Sequence, residues 1–154
     1  MTTRWLILCS AVLCFGWGIA QAGDSPARVL KGTKILWAPG EVKWAPMPGL
    51  AGAMQSPLWG DPDKGEHGVL YKWPAGTTVA DHFHNHGDRG VVVTGTMTLA
   101  VDGAKLKELP PGSYFSLGGG VKHDTACKKG ADCVFFIQRE GRFDAVMVEA
   151  KGKK

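Results

Sequence analysis

Short apolar runs separated by turns rich in glycine and proline are the feature that most constrains this chain. In residues 96–101, Met97, Leu99 and Val101 alternate with smaller residues, which is the period of a half-buried strand. Asp102-Gly103 follows and is a strong signal for a tight hairpin turn. No segment has the pattern of an amphipathic helix, and the 22 glycines among 154 residues are about twice the average usage. Short strands at regular intervals predict an all-β sandwich or barrel. We expect strands at residues 35–37, 42–44, 69–73, 91–93, 96–101, 105–109, 113–117, 121–127, 133–138 and 143–148.

Residues 1–22 have the order of a secretory signal peptide. Arg4 precedes an apolar stretch at residues 5–19, and the triplet Ala-Gln-Ala at 20–22 has the small-x-small form of a cleavage site. The apolar stretch is shorter than the roughly 18 residues that a membrane span needs. We therefore expect a cleaved signal rather than an anchor, no stable membrane span after cleavage, and a periplasmic or secreted protein.

Residues 23–65 are predicted to form an N-terminal extension, followed by a single barrel domain at residues 66–150. Within the extension, the segment at 46–64 is rich in proline and glycine and is too long for an ordinary connection. It is either a functional lid or an extension packed against the domain, and packing is the favoured alternative.

Two of the four cysteines, Cys127 and Cys133, remain after removal of the signal. In an oxidising compartment this pair predicts a disulfide, which would close a loop short enough to stabilise the fold by only about 2 kcal/mol. A free thiol near a site or a metal thiolate are the alternatives. We expect residues 121–127 and 133–138 to pair as a hairpin across the bond.

The segment from Asp81 to Asp88 carries three histidines, at positions 82, 84 and 86. Alternate residues of a strand point to the same face, so His82 and His84 can direct two imidazoles to one point inside a barrel. A turn near Gly87 would let Asp88 add a carboxylate, and His123 begins a later strand after a glycine-rich turn. Three imidazoles and a carboxylate are suited to one divalent transition metal ion, which could be Fe, Mn, Ni, Cu or Zn.

The spacing of these residues resembles the first cupin motif, G-x5-H-x-H-x3-E-x6-G. The matching positions are Gly76, His82, His84, Asp88 and Gly95. The second cupin motif, G-x5-P-x-G-x2-H-x3-N, is similarly matched. Its positions fall on Gly112, Gly118, Gly120, His123 and Cys127.

The resemblance implies a cupin double-stranded β-helix, a jelly-roll barrel of the RmlC-like type found in small single-domain bacterial cupins. Three positions depart from the motifs. Asp88 replaces Glu and is one methylene shorter, Gly118 replaces Pro, and Cys127 replaces Asn. The tryptophan-rich lead from Trp44 to Asp61 is similar, more faintly, to the extension of ChrR-type cupins.

Two further residues are candidates for contact with a substrate at the mouth of the barrel. His86 shares the parity of the two preceding histidines but is expected outside the metal's ligands. Arg89 carries a guanidinium that could hold a substrate carboxylate, and the alternative is an ordinary surface arginine.

The expected function is that of an exported metal-binding cupin acting on a small oxygenated organic molecule. A metal site with open positions suits an oxygenase for a dicarbonyl, enol or phenolic compound. The alternative is a non-catalytic cupin that senses or stores a metal ion or a small ligand, since a fold does not determine a function. The net charge of +4 is scattered rather than gathered in a stripe, so no nucleic-acid partner is expected. The resemblance leaves a homodimer through sheet edges open.

Overall fold

The computed structural model describes residues 34–149, and nearly all of their regular structure is β-strand. Residues 37–149 belong to one compact unit, and residues 34–36 belong to a separate unit and lack regular structure. A short 3-10 helix spans Pro39–Glu41. The strands are β1 Ala45–Pro46, β2 Met54–Gly60, β3 His67–Trp73, β4 Thr78–Phe83, β5 Asp88–Thr94, β6 Met97–Val101, β7 Lys107–Leu109, β8 Tyr114–Leu117, β9 His123–Cys127, β10 Cys133–Arg139 and β11 Val146–Met147.

The strands form two antiparallel sheets. The six-stranded sheet has the order β1-β2-β3-β10-β5-β8, and the five-stranded sheet has the order β11-β4-β9-β6-β7. Consecutive strands repeatedly change sheet, which is the arrangement of a jelly roll. The all-β prediction is confirmed, and among the described residues no helix is long and apolar enough to cross a membrane.

Side chains that alternate along the strands fill the space between the sheets. Val69, Tyr71 and Trp73 of β3 are buried, and they meet Met97 and Leu99 of β6 from the facing sheet. The predicted turn after β6 is also present, because Asp102 and Gly103 both have positive φ angles, of 50° and 72°. That backbone geometry suits the right-handed twist of a hairpin.

The N-terminal extension contributes two strands of its own. β1 pairs with β2, and β2 pairs with β3 along most of its length, so both join the edge of the six-stranded sheet. The segment at 46–64 is thus packed on the barrel through backbone hydrogen bonds. The strands predicted at 35–37 and 42–44 are absent, since neither segment finds a strand partner within residues 34–149.

The two cysteines form a disulfide whose position differs from the hairpin that we predicted. Cys127 ends β9 in the five-stranded sheet, whereas Cys133 begins β10 in the six-stranded sheet. The predicted pairing of these segments is therefore wrong, because β9 lies between β4 and β6 and β10 lies between β3 and β5. The disulfide joins the two sheets, and residues 128–132 cross from one sheet to the other. The predicted signal peptide at 1–22 lies outside the described residues.

Candidate metal centre

Three histidines converge on one point between the sheets. His82 lies near the end of β4 and is the register partner of His123 at the start of β9, while His84 follows β4 directly. One ligand nitrogen from each of the three lies within 4.8 Å of the other two. The ring centroids of His82 and His123 are 4.3 Å apart, and that of His84 lies 5.0 Å from His82 and 5.4 Å from His123. All three side chains are buried.

The glycine-rich turn that precedes β9 and His123 packs against the segment that carries His82 and His84. The backbone N–H of Gly120 donates to the carbonyl of His84 at 2.8 Å. At Gly119 the chain passes so close to the other segment that a Cβ atom would lie 2.4 Å from the carbonyl oxygen of Asn85. Glycine at this position therefore permits the close approach that brings His84 and His123 together.

Backbone carbonyls fix the orientation of each ring. The Nδ1–H groups of His82 and His123 donate to the carbonyls of Ala80 and Val121, at 2.8 and 2.9 Å. The Nδ1–H of His84 donates to the carbonyl of Asp144. With Nδ1 occupied in all three, Nε2 is the nitrogen left with a free lone pair. Second partners of this kind are typical of histidines that bind metals.

Burial keeps two of the rings uncharged. Burial, followed by the nearby positive charge of Arg139, lowers the pKa of His84 to about 4. Burial also lowers the pKa of His82 below its usual value. Both imidazoles are therefore neutral at pH 7, which is the protonation state that binds a metal.

The donor set fits a divalent transition metal ion. Three neutral imidazoles suit Zn, Fe, Cu and Ni, and bonds of about 2.0–2.2 Å from one ion require ligand atoms grouped as closely as these. The structure thus brings His82, His84 and His123 together as a set that could hold one metal, and three protein ligands leave further positions open to water or a substrate.

Asp88, the fourth predicted ligand, has a competing partner. It begins β5 and its Oδ2 lies 3.6 Å from Nε2 of His84. Both of its oxygens accept hydrogen bonds at 2.5 Å from Nε and Nη2 of Arg139, the last residue of β10. Arg139 and Asp88 are both buried, with side chains 2% and 5% exposed. A role for Asp88 as a ligand stays a prediction, because a metal ion would have to compete with Arg139 for its oxygens.

A cavity of about 90 Å³ extends from the histidines between the two sheets. Arg139 and Asp88 stand beside the histidines in its wall, and nearly all the rest of the lining is apolar. The apolar and aromatic lining residues are Met47, Tyr71, Trp73, Val79, Met97, Leu99, Phe115, Leu117, Phe135, Ile137, Phe143 and Ala145. A small organic molecule could lie there next to a bound ion.

The two predicted substrate-binding residues lie away from this cavity. His86 is exposed and packs against Gly141, and it does not line the cavity. Arg89 is half exposed on the outer face of β5, where its Nη2 donates to Glu140. The alternation of β5 explains its direction, because Asp88 points inward and its neighbour must point outward. Contact of either residue with a substrate stays a prediction without support from this placement.

Three residues that shape the site were not among those predicted from the sequence. Arg139 binds Asp88, Asp144 accepts the hydrogen bond from His84, and Phe143 lies with its ring 4.8 Å from the guanidinium carbon of Arg139. Only Arg139 carried a usable signal. Arg139 has the same parity on β10 as the buried Phe135 and as Ile137, so a charged residue stands at a position where strand alternation predicts an apolar one.

Solved structures with the same architecture are numerous, and three are representative. The polyketide cyclase RemF from Streptomyces resistomycificus is 20% identical, with a TM-score of 0.63 over 78% of this chain and 89% of that chain. A cupin 2 conserved barrel domain protein from Rhodopseudomonas palustris is 16% identical, with a TM-score of 0.62 over 77% and 88%. KdgF from Halomonas sp. is 22% identical, with a TM-score of 0.57 over 73% and 97%. At these identities the likeness shows the fold, which is the cupin barrel.

Sequence comparison assigns the family. No curated protein sequence matches this chain. The family described as a domain of unknown function, DUF4437, matches residues 19–146, which is most of the chain. The chain therefore belongs to the DUF4437 family, and it has the fold of the RmlC-like cupins.

Proposed function

We propose that this protein is a metal-dependent enzyme that acts on a small oxygenated organic molecule. The observation that carries the proposal is the convergence of His82, His84 and His123 at a mostly apolar cavity, with every Nδ1 already donating to a carbonyl. Such a site holds an ion through Nε2 and leaves coordination positions facing a space where a substrate fits.

A divalent ion in this position supplies Lewis acidity or, if it is redox-active, the activation of O2. The chain's own residues would exclude water and select the substrate. The mostly apolar wall excludes water and selects a substrate with an apolar body, and Arg139 with Asp88 provides the charged part of the wall. An oxygenase for a diketone, enol or phenol is the more specific form of the proposal.

A redox-neutral reaction is the second candidate, and one comparison favours it. RemF is named as a polyketide cyclase, and its barrel aligns with 78% of this chain. A metal acting as a Lewis acid on a carbonyl or enol would serve a reaction of that kind without O2. A sensor or storage cupin would bind the same ion without turnover.

The test begins with elemental analysis of protein purified without added metal. A stoichiometric transition metal identifies the ion, and Fe, Mn, Ni, Cu and Zn are the expected range. The loaded protein is then given a panel of diketones and catechols while O2 uptake and product formation are followed together. His123→Ala should abolish both metal binding and turnover. His86→Ala is the matched control, and it should retain both. Product without O2 uptake favours the redox-neutral reaction, and binding without any product favours the sensor.

We propose the periplasm or the extracellular space as the location. The buried disulfide between Cys127 and Cys133 supports it, because such bonds persist mainly outside the reducing cytoplasm. Cleavage of residues 1–22 is part of the same proposal, and the N-terminal sequence of the exported protein tests it. A homodimer also stays a prediction, and sedimentation analysis decides it.

A further inference from the structure

One buried donor in the metal-site wall has no acceptor. Arg139 uses Nε and Nη2 to bind both oxygens of Asp88. Its remaining nitrogen, Nη1, is buried and finds no hydrogen-bond partner among residues 34–149. Since a buried polar atom normally has a partner, and a charged one costs more to leave unpaired, this nitrogen points to a group that the described residues do not supply.

The missing group must be an acceptor. Within the described part of the chain, the buried side-chain nitrogen and oxygen atoms without partners are Nη1 of Arg139 and Nε1 of Trp73, and both are donors. Both residues line the same cavity. Trp73 is the register partner of Cys133 at the opposite end of β10, which places the two backbones about 20 Å apart along the sheet. A small ligand therefore meets the free nitrogen of Arg139 at the histidine end, while Trp73 lies at the far end.

Charge decides which acceptor fits best. The pair of Arg139 and Asp88 is neutral as a unit and imidazole ligands add no charge, so a bound divalent ion would leave two uncompensated positive charges in a mostly apolar cavity. An anionic ligand offsets that charge, and a guanidinium binds carboxylate more strongly than it binds a neutral carbonyl. The guanidinium carbon of Arg139 lies 4.8 Å from the centre of the Phe143 ring, and Asp88 binds Nε and Nη2, so the guanidinium is already oriented.

We propose that the substrate is a small organic carboxylate with an apolar body, and that its carboxylate accepts a hydrogen bond from Nη1 of Arg139. The apolar body lies against the cavity wall that includes Leu99, Phe115 and Ile137. The inference rests on the proposed function for the identity of the ligand as a substrate. It moves the carboxylate-binding role from Arg89, which faces outward, to Arg139.

The test compares propionate with propionamide, which has nearly the same shape and no charge. Both are titrated into the full-length protein as purified and again after dialysis against EDTA, while the side-chain ¹⁵N signals of the arginines are followed by NMR. Propionate should give a saturable shift of the Arg139 signal in both preparations, and its binding should be weaker after EDTA treatment because the charge of the ion is gone. In each preparation propionamide should bind at least about tenfold more weakly than propionate, because the guanidinium prefers a charged acceptor.

Three variants sharpen the comparison. Arg139→Lys keeps the charge but loses the free nitrogen, and it should weaken propionate binding about tenfold or more, read from the backbone signals. Asp88→Asn removes the competing negative charge and should tighten propionate binding, so it decides the question alone if Arg139→Lys does not fold. Arg89→Lys is the matched control on the outer face and should leave binding unchanged.

Equal binding of propionate and propionamide, or unchanged propionate binding in Arg139→Lys, overturns the inference. Asp88→Asn that binds propionate no more tightly than the wild type overturns it as well. The failure of the proposed function has a different signature, because a protein that holds no metal through its histidines would still separate the acid from the amide after EDTA treatment.

Discussion

The buried pair of Asp88 and Arg139 offers the sharpest prediction about how the site is held together. The two residues are 51 positions apart in sequence, and they join the start of β5 to the end of β10 through two hydrogen bonds of 2.5 Å. Their side chains are 5% and 2% exposed. Removal of one partner therefore leaves the other as a buried charge without compensation.

The perturbation is a double-mutant cycle of Arg139→Met, Asp88→Asn and the two together. Breaking a buried ion pair from one side costs about 3–5 kcal/mol, and we expect Arg139→Met to lower the free energy of unfolding by that amount. Asp88→Asn leaves a buried guanidinium with a neutral acceptor and should cost roughly 2–3 kcal/mol. The double variant retains neither charge, so its loss should be well below the sum, with a coupling energy of about 2–3 kcal/mol.

Urea unfolding of metal-free protein, followed by circular dichroism and tryptophan fluorescence, measures all four corners of the cycle. Metal is left out because an ion that binds only the folded state would add its own stabilisation. If the double variant loses as much free energy of unfolding as the two single variants together, the reasoning is refuted, because additivity means that the two charges do not depend on each other.

The same variants decide whether Asp88 ligates the metal. With its oxygens held by Arg139, Asp88→Asn should reduce metal affinity far less than His123→Ala. Arg139→Met should tighten metal binding, because it frees a carboxylate that lies 3.6 Å from Nε2 of His84. Loss of metal from Asp88→Asn as complete as that from His123→Ala would make Asp88 a ligand and overturn this interpretation.

Three further predictions follow from the site and from the disulfide. His123→Ala should abolish stoichiometric metal binding measured by calorimetry, and retention of one equivalent of metal would exclude the three-histidine site; His86→Ala should bind as the wild type does. Replacing Cys127 and Cys133 together by serine should lower the free energy of unfolding by about 2 kcal/mol, because the bond closes a short loop in the unfolded chain; no change in urea midpoint would contradict this. Because the pKa of folded His84 is lowered to about 4 from an ordinary value near 6.5, the unfolded state takes up a proton first as the pH falls. In the metal-free protein, the contribution of His84 to the free energy of unfolding is therefore complete above pH 6.5. It falls by roughly 3 kcal/mol between about pH 6.5 and 4 and changes little below that. A free energy of unfolding that stays constant between pH 6.5 and 4 would contradict this prediction.

The sequence predicted the all-β fold from local rules, and it predicted the grouping of three histidines from local rules together with the resemblance to the cupin motifs. The alternation of β-strands placed His82 and His84 on one face, and the motif spacing added His123 from a distant strand. The same alternation contained information that the prediction did not use. If Asp88 faces inward, its neighbour Arg89 must face outward, and Arg139 has the parity of Phe135 and must face inward.

Partners across the barrel could not be predicted in this way. The segments on either side of the disulfide looked like a hairpin because they are close in sequence, yet they lie in different sheets. Period-two patterning identifies which face of a strand is buried but contains nothing about which strand lies beside it. The faint likeness of the extension to ChrR-type cupins stays a prediction. Two strands of the extension do join the six-stranded sheet.

The sequence by itself determined a strand-rich chain with His82 and His84 on one face, because side-chain alternation and tight turns depend on residues that are adjacent in the chain. The resemblance to the cupin motifs added His123. Only the tertiary structure decided that Arg139 holds Asp88 and that one guanidinium nitrogen of Arg139, a residue that lines the cavity, lies buried without a partner among the described residues. These facts depend on the register between strands 51 residues apart. That register matters because a charged side chain buried between the sheets needs a partner, and here the neighbouring strand of the same sheet supplies it.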